Sequence, residues 1–237
     1  MNSREVRQKA VEREYLDAFL RLTAQQAEVE HSERPDFILT TASDRWGVEV
    51  TEVLQDSGPH GSRVRRDEGE RARFLATLAT AYYHAGGRPV LLKITLAHNP
   101  SVAFANDLVR RMLDERPQVP DGEQRKCYLR PDVEQQPFYL TALTHAFPAY
   151  SRWLSIGDGV GWVRSVESAT LTSLIATKAL KLAEYRLTVP RIDLLIVANR
   201  LLNSGKFQLP ADFQPLDASG FEHVYLLAHP LAVHRLA

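Results

Sequence analysis

Two carboxylates and one lysine are the residues of this chain whose types and spacing best suit chemistry. Asp36 stands in the stretch RPDF and Glu49 in GVEVTEV. Both stretches read as strands, separated by the polar run ASDR at 42–45, so the two pair as a hairpin. Side chains alternate along a strand, so Asp36, Ile38 and Thr40 share one face, and Glu49 and Thr51 share one opposite Val48 and Val50. Glu52 points to the other face and reads as a solvated or cap-pairing acid. A hairpin that places Asp36 beside Glu49 creates a self-repelling pair, which a shared proton or a divalent cation must neutralise.

The lysine comes from far along the chain. Residues 168–188 read as one helix stopped before Pro190. At about 100° per residue, with Leu171 as zero, Leu174 falls near ~300°, Ile175 near ~40° and Leu182 near ~20°, which defines an apolar stripe. Lys178 falls near ~340°, inside that stripe, and Tyr185 near ~320°, while Lys181 near ~280° sits at its margin. An unpaired ammonium buried there costs several kcal/mol or loses its proton, so Lys178 either snorkels to water or meets an acid. A nearby carboxylate pair favours the second.

The elements that must position these groups form an alternating pattern. Residues 4–28 read as a helix, with Val11, Tyr15, Ala18, Phe19 and Leu22 at steps of three and four. The two strands follow. A long helix covers SRVRRDEGERARFLATLATAYYHAGG, closed by Gly86 and Gly87. RPVLLKITLA then reads as a buried strand, and SVAFANDLVRRMLDERP as a helix stopped at Pro117. Between 117 and 166, prolines and glycines indicate loops and a hairpin or two, with GDGVGWV as a hairpin turn. IDLLIVANR and FEHVYLLAHP read as further strands after the 168–188 helix. Strands alternating with helices predict an α/β fold with a mixed central β-sheet flanked by helices. The expected organisation is a single domain, 1–237, with an inserted middle region at roughly 101–166.

Composition narrows the function classes. Of 237 residues, 44% are hydrophobic and 24% charged, enough for a real core. Lys+Arg and Asp+Glu are equal at 29 each, so no global field steers the chain to nucleic acid or membrane, and any polyanion site is a local patch. The lone cysteine, Cys127, excludes an internal disulfide and fits a reducing cytosol. The charged start MNSREVRQKAVERE does not suit a signal peptide, and no apolar run is long enough to span a bilayer, so a cytoplasmic protein with no membrane partner is expected. The eight histidines lack metalloprotease or zinc-finger spacing. GDGVGWV lacks the ending of a phosphate-binding loop, and no G-x-S-x-G elbow exists. The arginines of SRVRRDEGERAR alternate with Asp67, Glu68 and Glu70 and read as a salt-bridged helix face rather than a phosphate grip.

The combination RPDF, turn, GVEVTEV resembles the signature of the PD-(D/E)XK nuclease superfamily, which sets one acid on a strand and an acid-x-lysine on its hairpin neighbour after an opening helix. IATKALKLAEYRLTVPRIDLLIVA resembles the helix and strand that close the core in divergent branches. The resemblance covers roughly 14–53 and 171–199. It implies a restriction-endonuclease-like core, with Asp36 as the first acid and Glu49 as the second. The lysine expected at position 51 is Thr51 here, and Lys178, or Lys181 as second choice, takes its place from the adjacent helix. Lys93 is a weaker candidate. Glu14, Glu30 and Glu33 compete for the upstream glutamate that the superfamily often carries.

What the resemblance implies is a Mg²⁺-dependent endonuclease acting on DNA rather than RNA. Asp36, Glu49 and the carbonyl of Val50 are hard oxygen donors that suit Mg²⁺, with Mn²⁺ as a substitute. Superfamily members often work as dimers, so a homodimer joins DNA as an expected partner. The alternative from another class is a nuclease fold retained as a catalytically inactive nucleic-acid-binding or assembly module, silenced by Thr51. A third reading is a metal-dependent phosphoesterase acting on small nucleotides.

Overall fold

The structure is a computed structural model and describes residues 3–58, 61–96, 100–129, 137–143, 153–155 and 163–237. In chain order the elements are α1 (Ser3–Leu22), β1 (Glu28–His31), β2 (Phe37–Thr40), β3 (Arg45–Glu52), β4 (Ser57–Gly58), β5 (Gly61–Ser62), α2 (Arg63–His84) and β6 (Val90–Ile94). Then come α3 (Val102–Glu115), β7 (Gln124–Tyr128), β8 (Pro137–Ala142), β9 (Leu154–Ser155), β10 (Arg164–Ser165), α4 (Ser168–Ala179) and α5 (Leu182–Tyr185). The chain closes with β11 (Ile192–Asn199), β12 (Phe207–Gln208), β13 (Val224–His229) and β14 (Ala232–Arg235). The expected α/β class with a mixed sheet flanked by helices is what the chain adopts. The turn expected at GDGVGWV lies largely outside the described residues.

Two compact units divide the chain, one of residues 1–62 and 162–237, the other of residues 63–161. The segment lying within the first unit thus begins at Arg63 and includes α2 and β6, whereas the sequence reading starts its inserted region near 101.

The first unit holds a six-stranded sheet in the order β1-β2-β3-β11-β13-β14. Its middle pairs, β3 with β11 and β11 with β13, are parallel, and the outer pairs are antiparallel. Every residue of β11 from Ile192 to Ala198 is buried, as a parallel strand covered on both faces requires. On one face Leu16, Phe19, Phe37, Leu39, Val48, Val50, Leu195 and Val197 pack with α1. On the other, Ile38, Leu194 and Ile196 pack with Leu171 and Ile175 of α4 and with Leu182 and Tyr185 of α5. Hydrophobic matter therefore lies on both sides, and polar chemistry is confined to the places where strands end.

The opening helix differs from expectation at its C-terminus. Good helix formers continue to Glu28, yet α1 stops at Leu22. Ala24 takes a left-handed φ of 53°, and the Gln25 amide donates back to the Leu20 carbonyl at 3.0 Å, which closes the last turn. The chain then adds β1, whose register Glu30↔Ile38 fixes it on the outer side of β2.

The second unit has a four-stranded sheet in the order β7-β8-β6-β9. Val90, Leu92 and Ile94 of β6 and Phe138 and Leu140 of β8 alternate onto one face. There they form a single core with Leu75, Leu78 and Tyr82 of α2 and Leu108 and Met112 of α3. The Ser101 hydroxyl caps α3 by accepting from the Phe104 amide at 3.1 Å.

Candidate active site

The candidate site lies in the first unit, where β2 begins alongside β3. Gly47 and Val53 donate their amides to the carbonyls of Arg191 and Val197, so the odd positions of β3 bond toward β11 and the even ones face β2. Val50 faces β2 just past the start of that strand, where no β2 residue pairs with it. Its amide instead donates to Asp36 Oδ2 at 2.8 Å, which fixes the carboxylate against the strand. Pro35 is held tightly beside it. A Cβ at Gly47 would lie 2.4 Å from Pro35 Cγ, 2.8 Å from Ile192 Cδ1 and 3.0 Å from Val189 Cγ2, so only glycine admits this approach.

Glu49 emerges on the α4 face of β3, one position before Val50, and is buried. From the last turn of α4, Lys178 Nζ lies 2.7 Å from Glu49 Oε1 and donates to it. The lysine in the apolar stripe therefore meets an acid rather than water. Tyr185 is buried beside Glu49. Burial, and then the neighbouring Glu49 and Asp36 carboxylates, raise the Tyr185 pKa far above the ordinary phenol range.

Asp36 carries the electrostatic strain of the cluster. Burial, and then the charge of Glu49, push its carboxyl up to about 7, against the opposing pull of the Val50 amide and Lys178. At neutral pH the carboxyl is thus poised between its protonated and ionised forms. Glu12 adds to the upward push, and Lys9 feels the charges of both Glu12 and Asp36, so the N-terminal half of α1 reaches this end of the sheet. The Lys9–Glu33 and Arg34–Glu184 ion pairs, the latter at 2.9 Å, tie the loop before β2 to α1 and α5.

Of the residues singled out by sequence, Asp36, Glu49 and Lys178 come together and the others do not. Glu14 is 68% exposed on α1, 3.8 Å from His229, and makes no contact with the pair. Glu30 faces Arg45 at 3.8 Å on the outer strand, and Glu33 is taken by Lys9. Of the α1 acids, Glu12 is the one whose charge is felt at Asp36. It had a signal in the helix pattern: Glu12 falls about 60° from Tyr15, between Tyr15 and Leu16 on the buried stripe, the same anomaly that marks Lys178. Lys181 does not share the Lys178 position, because α4 ends at Ala179 and the single helix expected to 188 breaks there into α4 and α5. Lys181 caps α5 and is exposed. Lys93 belongs to β6 in the second unit. Thr51 shares the face of Glu49, as expected. Glu52 points the other way and accepts a hydrogen bond from Tyr15 Oη at 2.5 Å.

No family model, curated protein or solved structure matches this chain.

The donor set available to a cation is two carboxylates and one main-chain carbonyl. Because Val50 turns its amide toward Asp36, its carbonyl points to the same side. Among the described residues there is no cluster of three or more His, Cys, Asp or Glu arranged to hold a metal. The three oxygens suit a hard ion that keeps several of its waters, as Mg²⁺ does. Burial, and then the charge of Glu49, are what raise the Asp36 pKa here. No helix among the described residues is long and apolar enough to cross a membrane.

Proposed function

We propose that this chain is a Mg²⁺-dependent nuclease with a restriction-endonuclease-like core, a divergent member of the PD-(D/E)XK superfamily that hydrolyses DNA phosphodiesters. The observation that carries this reading is the 2.7 Å contact of Lys178 Nζ with Glu49, beside an Asp36 already bonded to the next residue of the same strand. Acid, acid and lysine thus share one end of the sheet although the lysine comes from a different element. In this reading Asp36, Glu49 and the Val50 carbonyl hold the ion.

Bound there, Mg²⁺ supplies Lewis acidity toward the phosphate and lowers the pKa of a coordinated water. The rest is the work of the chain. The Val50 amide occupies one Asp36 oxygen and leaves the other for the ion. Lys178 holds Glu49 in one orientation, with buried Tyr185 beside it. The Lys178 ammonium, 22% exposed at the surface of the pair, donates hydrogen bonds to the attacking water and to the charge that grows on the phosphate oxygens. Burial around the pair strengthens each of these interactions.

The test is incubation of the purified protein with plasmid and linear DNA in Mg²⁺ and in Mn²⁺, beside Asp36→Ala and Lys178→Ala. Cleavage lost in both variants supports the assignment. Cleavage that survives Lys178→Ala but not Asp36→Ala removes the lysine from the mechanism. No cleavage of any substrate, with no effect of either metal on melting temperature, overturns the nuclease reading in favour of a binding module.

A further inference from the structure

The sheet of the second unit has a second face, and its composition is unlike an ordinary solvated one. Lys126 of β7 stands directly opposite Tyr139 of β8, and Tyr139 stands directly opposite Lys93 of β6. Residues in register share a face, so three neighbouring strands present a row Lys126–Tyr139–Lys93. This is the face away from α2 and α3, because the core takes Cys127, Phe138, Leu140, Leu92 and Ile94 from the alternate positions. Tyr128, two residues from Lys126, lies on the same side, and the Lys126 ammonium sits 5.1 Å from the centre of its ring. Gln124 donates to Thr141 Oγ1 at 3.1 Å on the next rung. No acidic residue stands on this face of β6, β7 or β8. The unit as a whole has more Lys and Arg than Asp and Glu, although the full chain is neutral.

Lysines interleaved with aromatic rings on these three strands suit a ligand that carries both negative charge and flat apolar surfaces. Lys93 and Lys126 stand two strand spacings apart, about 10 Å, on either side of the Tyr139 ring. A nucleotide lying on that ring would have its flanking phosphates within reach of both flexible lysine side chains. A base can lie on a tyrosine only when it is not stacked within a duplex.

We propose that this face of the second unit is a binding platform for single-stranded nucleic acid, with Tyr139 and Tyr128 stacking bases and Lys93 and Lys126 neutralising phosphates. The platform is built apart from the carboxylate pair and does not need it. It adds a contact to the substrate class of the proposed nuclease that none of the first-unit residues provides.

The test uses the full-length chain in EDTA, which idles any metal-dependent cleavage, and a fluorescein-labelled oligothymidylate followed by anisotropy across a salt series. The wild type is expected to bind, more weakly as salt rises. Lys93→Gln with Lys126→Gln is expected to weaken binding about tenfold and to flatten the salt dependence by roughly one to two units of slope. Tyr139→Leu, which keeps apolar bulk on the sheet, is expected to weaken binding about fivefold or more with the slope unchanged. Thermal melts establish that each variant is folded. Wild-type affinity in all the variants overturns the platform, as does a wild type that binds no single strand or that binds a duplex of the same length more tightly. Single-strand binding retained in Asp36→Ala supports the platform and leaves the nuclease reading standing, whereas binding by a wild type that cleaves nothing supports the platform and counts against the nuclease reading alone.

Discussion

The two sheets of this protein solve the burial problem differently, and the difference decides where each can keep polar residues. The sheet of the first unit is covered on both faces, by α1 on one side and by α4 and α5 on the other. Its central strand β11 is buried from Ile192 to Ala198, and buried Glu49 of β3 stands beside Lys178 and Tyr185 near the start of β2. Among the described residues, the sheet of the second unit packs α2 and α3 on one face, and its other face carries Lys93, Lys126, Tyr128 and Tyr139. A doubly covered sheet thus concentrates a few strongly interacting charges at a strand end. A singly covered one spreads weaker interactions over an area. The first arrangement suits chemistry at a point, the second recognition along a chain.

The largest expected effect separates the two regions outright. Asp36→Ala is expected to reduce DNA cleavage by about a thousandfold or more, a loss of roughly 4 kcal/mol of transition-state stabilisation, while binding of a single strand in EDTA stays as in the wild type. A variant that loses both would collapse the distinction. Gly47→Ala comes next. Its new methyl group would enter space held by Pro35, Ile192 and Val189, and urea unfolding is expected to show a loss of about 2 kcal/mol or more.

The third effect is a pH dependence peculiar to the doubly covered sheet. The Asp36 carboxyl rises from its ordinary 3.8 to about 7 in the fold, so folding favours its protonated form. Its contribution to stability is complete below about pH 4 and is lost as the pH rises through 7, at up to about 1.4 kcal/mol per pH unit. Urea titrations at pH 5 and pH 8 are expected to show this slope in the wild type and a flatter one in Asp36→Asn. Added Mg²⁺ should restore more stability at pH 8 than at pH 5, since a cation competes with the proton for the same oxygens. The smallest effect is expected at Lys181. Because it is exposed at the break between α4 and α5, Lys181→Ala should change stability by less than about 0.5 kcal/mol and cleavage by less than about twofold. A large loss there would show that the helix break does not separate its role from that of Lys178.

Much of the first sheet was legible because burial writes periodicity into sequence. The shared face of Asp36 and Ile38, the opposed faces of Glu49 and Val50, and the misplaced Lys178 all follow from periods of two and 3.6. What escaped lacks such a period. β1, with the sequence EVEH, is an edge strand with three exposed residues, so no alternation of apolar residues marks it. The stop of α1 depends on a left-handed Ala24, a conformation that alanine does not advertise. Tyr185 falls on the apolar stripe of a continuous helix, but the break after Ala179 that sets it in a separate α5 has no such mark. Glu12 carries the same helical anomaly as Lys178, on the buried stripe of α1.

The route of the chain through the two units has a consequence for its synthesis. Glu49 and Lys178 are separated by 129 positions, and β3 finds its parallel partner only when β11 has been made. At ribosomal rates that interval lasts roughly six to thirty seconds, during which β3 is an apolar edge with no neighbour on one side. The second unit, which has a core of its own, is completed within the same interval. The nascent chain must therefore keep its first hairpin from pairing with other chains until the last third of the sequence emerges, and the acids acquire their lysine only then.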